Sequence, residues 1–223
     1  MLFENDFYIL KSKHLMYLYA GWFLENNNIP VIPNTDITYR NKHRIEARYL
    51  LKDAGLNVPE VFMGSSKTVK NRFDDSDFPL IIKPVMGSGS RGVRLLDSSE
   101  DINEIEDKIL YLEKFVFGKH FLAYFIGNEI CIYEKIPLKN EHAEVKQVND
   151  TKDIRKVVSK WRDKYNLLFG HLDIIREEDS NKLIIVDPGT FPEFSNWKSE
   201  IDPVKSISNL ILEEYHLQNE TSK

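Results

Sequence analysis

A lysine at the end of an apolar strand, followed at once by a glycine-rich loop, is the feature of this sequence best suited to chemistry. The apolar segment spans residues 78–84 (FPLIIKP) and contains Lys83, and the loop spans residues 85–93 (VMGSGSRGV). Glycines let a backbone approach a ligand closely, and backbone N–H groups together with an ammonium supply positive potential. This pattern predicts a site for the phosphates of a nucleotide.

The glycine spacing of the loop, with Gly87, Gly89 and Gly92, does not fit the common phosphate-binding motifs. A dinucleotide-binding turn opens a helix, and a Walker loop continues into Gly-Lys-Ser/Thr. Here residues 93–97 (VRLLD) instead predict a strand, and the sequence lacks the His-Arg-Asp loop of a protein kinase. We therefore predict a strand–loop–strand hairpin that closes over phosphates. A glycine hairpin without a ligand is the structural alternative.

Two aspartates near the C-terminus are the best candidates for holding a metal ion. Asp173 lies within the apolar residues 172–175 (LDII), and Asp187 follows the apolar residues 183–186 (LIIV). The polar residues 178–181 between them favour an antiparallel hairpin with both carboxylates on one surface. Mg²⁺ prefers oxygen ligands and is often held by one or two carboxylates plus substrate phosphates. Alternatively, both aspartates only cap turns at strand ends.

Composition excludes several classes of protein. The net charge of −5 disfavours a general nucleic-acid binder, although a local basic pocket remains compatible with it. The single cysteine, Cys131, excludes an internal disulfide, and its apolar neighbours indicate a buried spectator. No apolar run is long enough to span a bilayer, and residues 1–6 do not resemble a signal peptide. We expect a cytoplasmic protein without membrane or nucleic-acid partners.

Hydrophobic periodicity predicts a mixed order of helices and strands around these groups. The predicted strands are residues 8–10, 29–32, 58–62, 78–84, 93–97, 121–126, 129–136, 172–176 and 183–186. The predicted helices are residues 15–24, 42–54, 100–109, 153–165 and 204–215. Residues 67–77 predict a polar loop, and residues 140–150 are polar without a clear period. The proline in residues 58–62 predicts an edge strand there.

These pieces, in this order, resemble the ATP-grasp superfamily, and most closely its ribosomal-protein glutamate ligase-like enzymes. The inositol-trisphosphate kinase branch shares a similar nucleotide site. The resemblance extends from about Lys42 to the C-terminal helix and is carried by the motifs NK, IIKP, GSGSRG, LEKFVFGKHF, GHLDII and IIVDPGTFPEF. It implies an α+β protein with an ATP-grasp fold of two α+β subdomains, at residues 39–111 and 112–223. Residues 1–38 then form a truncated N-terminal β-α-β element.

The resemblance implies roles for individual residues. Lys42 and Lys83 would contact the phosphates of ATP, and Asp173 and Asp187 would hold Mg²⁺. The flap over the phosphates would consist of Gly87, Ser88, Gly89, Ser90 and Gly92. The adenine-binding hinge, acting largely through its backbone, would consist of Glu113, Lys114, Phe115 and Val116, with His120 following it. Lys83 would act in catalysis by neutralising charge, with Arg91 and Lys135 as further candidates.

The sequence departs from the pattern of the family in three places: at His120, at Leu122 and in the metal-binding segment that contains Ile185 and Asp187. His120 stands where many members carry an acidic residue, and Leu122 where a basic residue is common. Ile185 occupies the position of a metal-binding glutamate, and Asp187 that of an asparagine. One oxygen ligand is thereby lost, and the remaining ligand gains a charge.

These observations leave three functions open. The first is an ATP- and Mg²⁺-dependent carboxylate–amine ligase, acting on a small molecule or peptide through an acylphosphate. The second is a kinase for an inositol phosphate-like molecule, for which Lys135, Lys139 and Lys146 would bind the acceptor. The third, motivated by the three departures, is a non-catalytic ATP-binding protein. A homodimer would compensate for the short N-terminus, and Lys11 is either a substrate contact or a solvated strand-end lysine.

Overall fold

The computed structural model describes residues 4–87, 92–103, 109–136, 146–149, 151–195 and 197–221. The described residues combine helices with one small parallel sheet and two larger antiparallel sheets, which confirms the predicted α+β class. In this part of the chain, no helix is both long and apolar enough to cross a bilayer.

The N-terminal element is a parallel strand–helix–strand unit, as predicted. It consists of β1 (Tyr8–Ile9), α1 (Leu15–Asn26) and β2 (Val31–Ile32), and Tyr8 pairs with Val31. The Nδ1 atom of His14 accepts a hydrogen bond from the N–H of Met16 and so caps the start of α1. Leu10, Leu18, Leu24 and Val31 form a small core of their own.

The single helix predicted over residues 42–54 is wrong in its first turn. The chain instead forms α2 (Thr35–Arg40) and α3 (Arg44–Asp53), joined by residues 41–43. The side chain of Asn34 caps the start of α2, and α2 ends at Arg40, before Lys42. Lys42 therefore lies in the connection, and Gly55 ends the second helix with a positive φ as expected.

A four-stranded antiparallel sheet contains the glycine hairpin. Its strands are β3 (Val61–Ser65), β4 (Leu80–Lys83), β5 (Arg94–Leu96) and β6 (Ile109–Lys114), in the order β3-β6-β4-β5. The strand–loop–strand arrangement is confirmed, since Ile82 pairs with Arg94. Strand β3 is an edge strand as predicted, but it begins at Val61 and so does not contain the proline on which that prediction was based. The short helices α4 (Ser66–Lys70) and α5 (Ser99–Asn103) cover this sheet and close its apolar core.

Two predictions in this region are wrong. Residues 67–77 are not all loop, because Ser65 caps α4 and Asp74 caps a short turn of 3₁₀ helix at Asp75–Asp77. The predicted helix over residues 100–109 does not reach its end, because Ile109 begins β6. The boundary expected after residue 111 thus falls inside β6, and the division into three units stays a prediction.

A five-stranded antiparallel sheet contains both aspartates. Its strands are β7 (Gly118–Ile126), β8 (Glu129–Lys135), β9 (Lys146–Val148), β10 (Phe169–Glu177) and β11 (Leu183–Gly189), in the order β11-β10-β7-β8-β9. Strand β9 lies in the polar segment without a clear period, and it pairs with β8. Helices α6 (Lys152–Lys164) and α7 (Pro203–Thr221) pack on this sheet, and Trp161 of α6 is fully buried in the largest core.

Gly118 lies where the backbone of β7 comes very close to that of β10. Its φ of +148° favours glycine, and a Cβ at this position would collide with the backbone carbonyl of Arg176. We expect Gly118→Ala to lower the free energy of unfolding by about 2 kcal/mol or more. Urea denaturation checks this, with Gly64→Ala as the control, because a Cβ on Gly64 meets only side-chain atoms at 3.5 Å or beyond. Equal losses in the two variants would contradict the explanation.

Candidate active site

The two aspartates lie opposite each other on the β10–β11 hairpin. Asp173 and Asp187 are direct partners in the antiparallel register. Directly opposite residues of an antiparallel pair project from the same face of the sheet. The predicted hairpin with both carboxylates on one surface is therefore confirmed, and their role in metal binding stays a prediction.

A bulge next to this pair brings in Lys83. The register shifts after Asp173, so that Ile174 pairs with Ile185, and Val186 is the extra residue of β11. The Nζ atom of Lys83, at the end of β4, donates a hydrogen bond to the carbonyl of Val186 at 3.3 Å. The bulge thus joins the lysine of the four-stranded sheet to the aspartates of the five-stranded sheet.

Asp187 is neutralised by an arginine that the sequence analysis missed. The Nη1 atom of Arg44 lies 2.7 Å from the Oδ1 atom of Asp187, and the arginine side chain is only 9% exposed. Arg44 is the first residue of α3 and hydrogen-bonds through its own N–H to the carbonyl of Val85. The one feature of the sequence that pointed to Arg44 was its position two residues after Lys42, the lysine of the NK motif.

Asp173 is neutralised from the other side of the site. The Nζ atom of Lys135 lies 2.7 Å from the Oδ1 atom of Asp173, and the Nε2 atom of His120 lies 3.8 Å from the same oxygen. Burial by itself would raise the pKa of Asp173, but Lys135 and the neighbouring histidines hold that pKa below its usual range. Asp173 is therefore an anion at neutral pH. The structure brings Lys135 and His120, two predicted site residues, to this metal candidate.

Lys83 forms a buried ion pair with Glu113. The Nζ and Oε2 atoms are 2.5 Å apart, and the two side chains are 8% and 6% exposed. Burial and the neighbouring Glu113 carboxylate raise the pKa of Tyr111, so its phenol stays protonated. Glu113, predicted as a hinge residue that acts through its backbone, thus has a specific side-chain partner.

The rest of the predicted hinge continues β6 and then leaves it. The N–H of Lys114 donates to the carbonyl of Glu60 at 2.9 Å, and the N–H of Phe115 donates to that of Pro79 at 3.2 Å. Both backbone donors are therefore used by the protein itself. Adenine binding by Glu113, Lys114, Phe115 and Val116 stays a prediction.

The segment of residues 42–44 connects the base of the glycine loop to the N-terminal element. The N–H of Gly87 donates to the carbonyl of Lys42 at 3.4 Å, and His43 forms a β-bridge with Met86. The ammonium of Lys42 donates to the carbonyl of Lys13 at 2.6 Å. Lys42, predicted to contact phosphates, thus has a backbone partner in the protein.

The glycine loop itself is described only at its two ends. Gly92 has a φ of +75°, and a Cβ there would crowd the ring of Pro84, so glycine is required at this end. The predicted flap residues Ser88, Gly89 and Ser90, and the catalytic candidate Arg91, lie outside the described residues. Their roles stay predictions.

A small cleft lies between α3, β6 and β11. Arg44, Arg48, Tyr111, Glu113, Ile185 and Asp187 contribute to its walls. Arg48 is a second arginine that the sequence analysis missed, one helical turn after Arg44. Two guanidinium groups in the wall of a cleft beside a lysine–glutamate pair make an environment suited to an anion.

The two histidines near Asp173 are neutral at physiological pH. Burial lowers the pKa of His120 to about 4, although the Asp173 carboxylate opposes this shift. Burial also lowers the pKa of His171, which lies on β10 opposite Gly189. His120 therefore supplies a neutral imidazole beside Asp173.

The carboxylates present suit a Mg²⁺ ion that binds together with a nucleotide better than they suit a permanently bound metal ion. No group of three or more histidine, cysteine, aspartate or glutamate side chains in the described part of the chain is arranged to hold a metal ion. Two carboxylates on one face are nevertheless enough for Mg²⁺, which takes its other ligands from phosphates and water. Ile185, at 1% exposure, packs in the core and offers no oxygen.

Comparison with known proteins identifies the type of domain. Residues 41–159 match the family model described as an ATP-grasp domain. The structure resembles the D-alanine–D-alanine ligase of Bacillus anthracis with a TM-score of 0.72 at 14% identity, over 98% of this chain and 83% of that one. It also resembles a RimK domain ATP-grasp protein of Sphaerobacter thermophilus with a TM-score of 0.73 at 11% identity, over 91% and 80% of the two chains.

Among curated proteins, the chain is similar to the uncharacterised protein MJ0776 of Methanocaldococcus jannaschii. The two are 32% identical over 131 residues, which is 54% of this chain and 33% of that protein. The chain thus spans a third or less of the length of the curated relatives it matches.

The Lys83–Glu113 pair predicts a large loss of stability when one partner is removed. Glu113→Ala leaves the buried ammonium of Lys83 uncompensated, so we expect the free energy of unfolding to fall by about 3–5 kcal/mol in urea denaturation. The double variant Lys83→Met, Glu113→Leu removes both charges and should recover most of that loss. A single variant as stable as the unmodified protein would show that the pair is not desolvated.

Because His120 is buried and neutral, we expect the protein without metal or nucleotide to become less stable in acid. The unfolded chain takes up a proton near the ordinary histidine pKa of 6.5, whereas folded His120 does so only near pH 4. The contribution of His120 to the free energy of unfolding is therefore fully present above pH 6.5. It is lost as the pH is lowered towards 4, and the loss is on the order of 3 kcal/mol. Urea denaturation across this range should show a smaller fall for His120→Gln, and parallel profiles would contradict the assignment.

Proposed function

The protein belongs to the ATP-grasp family, and on that premise we propose that it is an ATP- and Mg²⁺-dependent ligase that joins a carboxylate to an amine. The observation that carries the proposal is the meeting of Lys83, Asp173 and Asp187 at the β11 bulge. An ammonium for phosphates and two carboxylates for Mg²⁺ are the groups that phosphoryl transfer requires.

In the proposed reaction, an oxygen of the substrate carboxylate attacks the γ-phosphorus of ATP. The new bond joins this oxygen to phosphorus, the bond between the γ-phosphorus and the β–γ bridging oxygen breaks, and ADP leaves. The amine then attacks the acyl carbon of the acylphosphate, phosphate leaves, and the amine gives up a proton. No protein nucleophile takes part, which agrees with the burial of Cys131.

The side chains contribute by binding and by charge neutralisation. Lys83 lies beside the base of the glycine loop and would bind the phosphates, and Arg44 and Arg48 in the cleft wall would add positive potential. Lys135 would hold Asp173 in its ionised form. Among these residues, Lys83 and Lys135 are the catalytic candidates of the sequence analysis.

Asp173 and Asp187 would bind Mg²⁺ together with the nucleotide. The ion would neutralise charge that develops on the transferred phosphoryl group. Because each carboxylate already contacts a cation, Arg44 and Lys135 must share or release them when Mg²⁺ binds. We therefore propose that Mg²⁺ and ATP bind cooperatively.

A non-catalytic ATP-binding protein is the second candidate. It is favoured by the burial of Ile185 and by the cations on both aspartates, which leave Mg²⁺ with few free protein ligands. A small molecule or peptide as substrate, a homodimer and a cytoplasmic location stay predictions.

ATP binding measured by calorimetry in the presence of Mg²⁺ tests the nucleotide site. We expect Lys83→Ala and Asp187→Ala each to weaken binding by about tenfold or more, because each removes a charge that acts on the phosphates. The matched controls are Lys52→Ala and Asp179→Ala, which change exposed residues of the same types outside the site.

The outcomes separate the candidates. Failure of the unmodified protein to bind ATP would contradict the proposed function. Binding that depends on Lys83 and Asp187, with ADP release in the presence of an acid and an amine, would support the ligase. The same binding without any turnover would favour the non-catalytic protein, and formation of AMP would contradict an acylphosphate mechanism.

A further inference from the structure

His120 is a polar side chain of the candidate site that the proposed reaction does not yet use. Its side chain is only 11% exposed, and both nitrogens of its ring are buried. Among the described residues, neither nitrogen has a hydrogen-bond partner. A neutral imidazole carries one N–H donor and one lone pair, and leaving both unused in a buried place is unfavourable. A ligand that takes the lone pair would relieve part of this cost.

The strand register places His120 on the same face of the sheet as the two aspartates. Leu122 of β7 is the direct partner of Asp173, and His120 lies two residues before Leu122 on that strand. Side chains two residues apart on a strand project to the same face. The Nε2 atom of His120 lies 3.8 Å from the Oδ1 atom of Asp173, which is too far for a hydrogen bond. The imidazole therefore lies beside the carboxylate without bonding to it.

The distance between these two atoms suits two ligands of one metal ion. An octahedral ion with bonds of about 2.1 Å holds adjacent ligand atoms about 3 Å apart and opposite ones about 4.2 Å apart. The observed 3.8 Å between Nε2 of His120 and Oδ1 of Asp173 lies between these limits. Lys135, which contacts the same oxygen at 2.7 Å, is 27% exposed and has a long flexible side chain. Its ammonium can therefore turn towards solvent or phosphates when a divalent ion binds.

The packing of Ile185 explains why a further ligand would come from β7 and not from β11. The bulge of β11 makes Ile185 the partner of Ile174, and both side chains belong to the largest core. Strand β11 therefore contributes the carboxylate of Asp187 at this point and no second oxygen from Ile185. On β7, His120 is placed next to Asp173 with a nitrogen that has no other partner among the described residues.

We propose that His120 is a ligand, through Nε2, of the divalent ion that binds with the nucleotide, and that it makes the site prefer a transition-metal ion such as Mn²⁺ over Mg²⁺. This inference rests on the proposed function and names the class of its metal ion. Mg²⁺ takes oxygen ligands, whereas transition-metal ions also accept imidazole nitrogen. In the described part of the chain these side chains do not form a complete metal site by themselves, so the ion still depends on the phosphates.

Electron spin-echo envelope modulation of Mn²⁺ tests the assignment, because it detects nitrogen nuclei bonded to the ion. The sample contains the full chain, Mn²⁺ and the ATP analogue with a methylene group between the β- and γ-phosphorus. We expect a nitrogen coupling that changes to that of ¹⁵N when the histidines of the protein carry ¹⁵N, which excludes adenine as its source. His120→Gln should abolish this coupling. The matched control, His216→Gln, changes an exposed histidine of α7 and should leave the coupling unchanged.

Calorimetry measures the metal preference on the same proteins. The dissociation constant of the analogue is determined at saturating Mn²⁺ and at saturating Mg²⁺, and the ratio of the two constants is the preference. We expect the unmodified protein to bind the analogue more tightly with Mn²⁺. His120→Gln replaces a nitrogen ligand by an amide, so the preference for Mn²⁺ should fall about tenfold or more. Thermal unfolding verifies that both variants are folded.

The results distinguish this inference from the proposed function. If the analogue binds with Mn²⁺ but the ion shows no coupling to histidine nitrogen, the inference is overturned and the proposed function stands. A coupling or a preference for Mn²⁺ that is unchanged in His120→Gln would assign the nitrogen to another residue and would also overturn it. The labelled unmodified protein decides the presence of a histidine ligand even where the variant does not fold. If the analogue binds with neither metal ion, the proposed function is contradicted, and this inference with it.

Discussion

The repulsion between two carboxylates placed directly opposite each other, Asp173 and Asp187, is the constraint on which the rest of the site depends. Like charges at directly opposite positions destabilise an antiparallel pair, so each must be neutralised. Arg44 comes to Asp187 from α3, and Lys135 comes to Asp173 from β8. Helix α3 and strand β8 thus each supply one cation to the hairpin, and these two contacts set the electrostatic character of the site.

The short segment of residues 42–44 connects the aspartate pair to two other parts of the protein. Its backbone contacts the base of the glycine loop at Val85 and Gly87, while the side chain of Lys42 contacts the N-terminal element. Arg44 connects the same segment to Asp187. A ligand that draws Asp187 away from Arg44 would therefore act on the same segment that contacts the glycine loop and the N-terminal element.

The sequence predicted those parts of the candidate site that consist of a single local hairpin. The apolar strands around Asp173 and Asp187, with a polar turn between them, predicted the hairpin that the structure has. The glycine hairpin after Lys83 followed from the same kind of local signal.

Contacts between distant parts of the chain could not be predicted in this way. Arg44 and Asp187 are separated by 143 residues, and nothing in the pattern of either segment indicates the other. The Lys83–Glu113 pair depends on the sheet order, which the strand pattern alone does not determine. Errors in the elements had local causes: the Asn34 cap starts a separate helix before Lys42, and β9 is a strand because β8 offers it an edge.

The central claim is that Lys83 and the aspartate pair hold the phosphates and the metal ion of one nucleotide. A crystal structure of the protein with Mg²⁺ and a non-hydrolysable ATP analogue tests it most directly. The account predicts a phosphate oxygen within hydrogen-bonding distance of the Lys83 ammonium and a Mg²⁺ ion in contact with Asp173, Asp187 and the phosphates. A nucleotide bound elsewhere, with the Arg44–Asp187 and Lys135–Asp173 pairs unchanged, would contradict it.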